Sequence, residues 1–195
     1  MLPVNVGLAS LVLLKTDAAP ALVEALARAL GPWQSRYSDS KLLSTSVVAV
    51  HTVALLFGGG LAIAADRTTL RVLRARGRAS DAVAEDRRLL GELGAVHRPV
   101  LTALAVLVVS GVLLAAADVK TYALSWVFWL KLALFVLLLV NGAVLERAES
   151  GLRGPVALGS PGALARWRRL RAATWTSLAL WTATTVVGVA LTSVA

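Results

Sequence analysis

The sequence predicts an all-α membrane protein, a bundle of four transmembrane helices behind a short amphipathic arm. Three observations carry this. The 195-residue chain is 57% hydrophobic and 16% charged, with a mean hydropathy of +0.75, outside the range of soluble domains. Four apolar runs are long enough to cross about 30 Å of hydrocarbon at about 1.5 Å per residue. The net charge of +9 comes almost wholly from arginines gathered in two of the segments between those runs. Such clustering beside spanning helices is the positive-inside pattern, so no nucleic-acid partner is expected. There is no cysteine, which excludes disulfides, iron–sulfur clusters and thiolate metal sites.

Residues 1–41 form the arm and residues 42–194 the four-helix domain. Leu2 to Leu14 is apolar but short and is broken by Asn5, Gly7 and Ser10. It suits a buried, re-entrant or interfacial segment better than a signal peptide, because no positive cluster precedes it. Pro20 to Leu30 repeats Ala21, Leu22, Ala25, Leu26 and Ala29 at helical spacing, with Glu24 and Arg28 four apart, and Gly31-Pro32 ends it. Trp33 and Tyr37 then form an aromatic collar at headgroup level.

The first span runs from about residue 42 to 66 and has Gly58, Gly59 and Gly60 in its second half. A polar stretch to Arg98 follows, carrying Arg67, Arg71, Arg74, Arg76, Arg78, Arg87 and Arg88. The first helix is expected to continue toward Arg74, and Asp81 to cap a separate helix ending near Leu93. The second span covers about 99–117, with Pro99 in its first turn. A short loop from Asp118 leads to the third span, about 125–144, which opens on Trp126, Phe128 and Trp129. Glu146 to Ala172 reads as the second basic loop, irregular from Gly154 to Gly162, and the fourth span covers about 173–194. The arginine-rich loops place both termini on the non-cytoplasmic side of a multi-pass protein of the cell (inner) membrane. Membrane lipid is the expected surrounding, with other membrane subunits as further candidate partners.

Few residues could carry chemistry. His51 lies about nine residues, or about 14 Å, inside its helix, and Lys131 lies at a similar depth in the third span. Both belong to the outer half of the bilayer, where no Asp or Glu occurs in any span. A lysine there costs about 2.5–3.5 kcal/mol unless it is partnered or snorkels. His51 is open to three readings: a core histidine bonded to Ser44, Thr45, Ser110 or Asn141, a cofactor or metal ligand, or a quinone or proton-relay group. Gly59 falls near the face of His51 and leaves room for a flat ring or a second backbone. His97 sits at the cytoplasmic mouth of the second span, too far down to share a haem with His51.

The mid-helix histidine, the Asp66-Arg67 that follows a glycine-rich half helix, and the third-span run YALSWVFWLKLALFVLLLVNG together carry a resemblance. The chain resembles small bacterial membrane proteins related to the copper-resistance D family and to the membrane protoporphyrinogen oxidases that bind haem b, and within these an uncharacterised four-span family. The resemblance covers about residues 42–145 and implies that His51 and Lys131 are the important pair. It implies haem b or a quinone as cofactor and a redox or electron-transfer role. With methionine only at position 1, copper handling is not expected. The competing reading is an accessory subunit that stabilises a larger membrane complex and holds no cofactor.

Overall fold

A computed structural model describes residues 20–75, 82–153 and 162–194. The described residues are helical nearly throughout. Helix α1 (20–29) and helix α2 (Gly31–Asp39) form the arm. Four long helices follow: α3 (Lys41–Ala75), α4 (Ala82–Ala117), α6 (Trp126–Ser150) and α7 (Ala163–Val194), with the short α5 (Val119–Leu124) between α4 and α6. Each long helix has the length and apolarity to cross a membrane. The fold is therefore the expected all-α four-span bundle.

The helices are longer than the spans. α3 runs out through the basic Arg67–Arg74 stretch as expected. The separate helix ending near Leu93 does not exist, since α4 passes unbroken through Gly94 and Pro99. A proline removes one helical hydrogen bond, and at the edge of the apolar stretch water or a side chain can take up the released carbonyl. The Glu146–Ala172 loop is likewise shorter than expected, because α6 continues to Ser150 and α7 starts at Ala163. The irregular stretch expected over Gly154–Gly162, apart from Gly162 itself, and the Leu2–Leu14 segment lie outside the described residues. In place of a loop after Asp118, α5 forms, and the Asp118 carboxylate accepts a hydrogen bond from the Thr121 N–H at 3.2 Å.

Helix α3 packs on α4, α6 on α7, and α3 on α7. Two apolar clusters hold them. Ala54, Leu104, Leu107, Leu138 and Trp181 form the one nearer mid-bundle, and Leu89, Leu93, Leu152, Trp167 and Leu170 the one at the arginine-rich end. Close approach of α3 depends on glycine. A Cβ on Gly58 would lie 2.7 Å from the Ala103 Cβ, and one on Gly59 would lie 3.2 Å from the Trp181 indole. Outward-facing Leu56, Phe57, Val109, Val112, Leu137 and Val186 stay exposed, the reverse of a soluble protein and what a hydrocarbon surround requires. At the other end the arm is tied to α4: the Trp33 indole N–H donates to the Leu113 carbonyl at 3.0 Å, and the Gln34 amide donates to Ala116 at 3.2 Å.

Candidate functional site

All four long helices carry polar groups in the half of the bundle opposite the arginine-rich end. His51 on α3 meets Ser110 on α4, with its Nδ1 2.9 Å from the hydroxyl oxygen. The Ser110 hydroxyl donates its one proton to the Val106 carbonyl at 2.6 Å. With its proton on that carbonyl, the oxygen accepts from a protonated Nδ1 of His51. Nε2 is left with a lone pair, the state of a base or a metal ligand. The ring comes close to α4: a Cβ on Gly111 would sit 3.4 Å from its Cε1.

Lys131 on α6 approaches α7, where a Cβ on Gly188 would lie 3.4 Å from its Nζ. Its charge reaches His51 across the bundle. The two residues lie within electrostatic range of each other, although α3 and α6 are not among the main packing neighbours. One turn from Gly188, on the same face of α7, Thr184 is buried and its hydroxyl has no partner among the described residues. A buried hydroxyl without a partner is costly.

Gly59 stands elsewhere. The planar group against it is the Trp181 indole, so the room beside this glycine is filled by the protein. His97 pairs with Glu146 at 3.8 Å. It lies thirteen residues from Ser110 along α4, about 20 Å, and so cannot reach His51. Among the described residues no group of three His, Cys, Asp or Glu side chains is placed to hold a metal.

The buried face of α7 was not singled out from the sequence. It carries Thr174, Ser177, Trp181, Thr184 and Gly188 at alternating spacings of three and four, while Trp175, Val186 and Val189 face outward. That spacing of small and polar residues is the signature of a helix packed among others in a membrane, and it was open to a sequence-level reading.

Fold and site together define a multi-pass helical membrane protein with a polar site inside the bundle. No protein-family model matches the chain, and no curated protein or solved structure does.

Proposed function

We propose that this is a redox membrane protein holding a lipid-soluble cofactor, a quinone or haem b, between His51 and Lys131. The observation that supports the reading is the 2.9 Å contact of His51 Nδ1 with Ser110, whose hydroxyl also bonds the Val106 carbonyl, an arrangement that engages Nδ1 and suits a free lone pair on Nε2. The donor set favours a quinone. Its carbonyl oxygens suit the Lys131 ammonium and the Thr184 hydroxyl, and the hydroxyl of its reduced form suits Nε2. A groove of about 400 Å³ between α3 and α4, lined by Val47, Val50, Val106, Val109, Ser110 and Leu113, has the apolar character an isoprenoid tail needs. A bound quinone supplies reversible uptake of electrons and protons. The chain supplies the acceptor at Nε2, the positive charge at Lys131 and the exclusion of water.

Haem fits in part, since the site offers one imidazole nitrogen and His97 is out of reach as a second ligand. The resemblance of the first-span histidine and third-span lysine to the haem-binding families supports this second form. The basic loops support a cell-membrane location with both termini on the non-cytoplasmic side.

The test is to purify the full chain in mild detergent, extract and identify bound quinone, and record the visible spectrum. Quinone should co-purify with the wild type and drop at least several-fold in His51→Ala. Thr184→Val should retain less quinone without loss of thermal stability, because the hydroxyl it removes is unpartnered. A Soret band lost in His51→Ala would select haem b. If neither cofactor is found, the redox reading fails and the accessory-subunit reading replaces it.

A further inference from the structure

A second polar site lies in the other half of the bundle, and the cofactor reading does not use it. Asp66 on α3 is 6% exposed, and Glu149 on α6 is 4% exposed. The Ser177 hydroxyl of α7 faces the Asp66 carboxyl, and the two carboxyls are close enough to repel each other. Asp66 Oδ2 is fully buried and has no hydrogen-bond partner. Among the described residues the ion pairs are Arg88–Glu92, His97–Glu146, Lys120–Glu24 and Arg153–Glu149, and none includes Asp66. Glu149 is held differently: Arg153 donates to it at 3.1 Å, and His97 and Glu146 lie within electrostatic range. Glu146, at 66% side-chain exposure, is 3.8 Å from His97.

We propose that Asp66 and Glu149 form a proton-binding carboxyl pair inside the bundle, which exchanges with the arginine-rich end by way of His97 and Glu146. Two carboxylates within electrostatic range in a water-poor interior repel each other, and among the described ion pairs a positive charge, Arg153, stands beside Glu149 only. A proton on the pair removes one negative charge, and on Asp66 it neutralises the carboxyl whose Oδ2 is buried without a partner. The path outward is continuous in chemistry. An imidazole accepts at one nitrogen and donates at the other, and His97 is 3.8 Å from the exposed Glu146 and within electrostatic range of the buried Glu149. Among the groups that act on the pair, α4 contributes His97, α6 contributes Glu146 and Glu149 with Arg153 just beyond its end, and α7 contributes the neutral Ser177. Uptake converts one carboxylate oxygen to a hydroxyl, and release reverses it, with no electron moved. Chains of Asp, Glu and His inside membrane helices are the usual material of proton relays.

The test is infrared spectroscopy of the full chain in lipid nanodiscs, in light and heavy water. The wild type at neutral pH should show the carbonyl stretch of a buried protonated carboxylic acid, shifted in heavy water. Asp66→Asn should abolish that band. His97→Phe should keep the band but slow its hydrogen–deuterium exchange at least several-fold. Absence of the band in the wild type overturns the pair without reliance on any variant. So does its persistence in Asp66→Asn. Unchanged exchange in His97→Phe overturns the route, and loss of the band on replacing potassium by sodium would assign the site to a metal cation instead.

Discussion

At the scale of single residues, the hydroxyl of Ser110 decides what His51 is able to do. Its short bond to Val106 favours the tautomer with the imidazole proton on Nδ1, whereas a serine without that carbonyl would give no such preference. A hydroxyl four residues from a helical carbonyl is commonplace, and here it gains consequence from the helix opposite. Tyr122 on α5 illustrates an environment acting on a group outside the spans. Burial pushes its phenol up from the ordinary value, helped by the nearby Asp118 carboxylate and Tyr37. The folded state therefore holds the phenolic proton to higher pH than the unfolded state does. The associated stability is complete below the ordinary phenol range, about pH 10, and is lost as pH rises through the raised value. Thermal unfolding followed through the alkaline range should show this loss in the wild type and a weaker one in Tyr122→Phe.

At the scale of elements, the α3–α4 and α3–α7 contacts rest on absent side chains. Three consecutive glycines have three different roles: Gly58 admits Ala103, Gly59 admits the Trp181 indole, and Gly60 has nothing within 4 Å. Gly58→Ala should force α3 and α4 apart and cost about 1–3 kcal/mol. Adding Ala103→Gly should recover most of that loss. Gly60→Ala should stay within about 0.5 kcal/mol of the wild type. Detergent unfolding of these variants reads the coupling directly, and equal effects at Gly58 and Gly60 would contradict the packing.

At the scale of the whole molecule, the alternating helix directions bring the basic ends of α3, α4, α6 and α7 to one end of the bundle and α5 with the arm to the other. The two polar sites then lie at separate depths, His51–Lys131 toward the arm and Asp66–Glu149 toward the arginines. If the basic end is cytoplasmic, as the charge asymmetry indicates, a cysteine replacing exposed Ser150 should be labelled only from the cytoplasmic face. One replacing exposed Lys120 should be labelled only from the opposite face. Impermeant thiol reagents on intact and inverted vesicles provide the measurement, and the opposite pattern would reverse the orientation.

The number of spans, their order, the basic ends and the common depth of His51 and Lys131 follow from the sequence, because each depends only on the length of an apolar run, the position of charge along it, and the rise of a helix. Which way each helix is turned does not follow so simply. In hydrocarbon the outside of a bundle is as apolar as its inside, so the periodicity that marks the buried face of a soluble helix is largely lost. That is why Asp66, which in sequence marks the end of a span, belongs to the interior, why Gly59 is covered by Trp181 and not open beside His51, and why Ser110, one of several candidate partners, is the one bonded to the imidazole. Those assignments depend on helix rotation and on contacts between residues far apart in the chain, which only the tertiary structure sets.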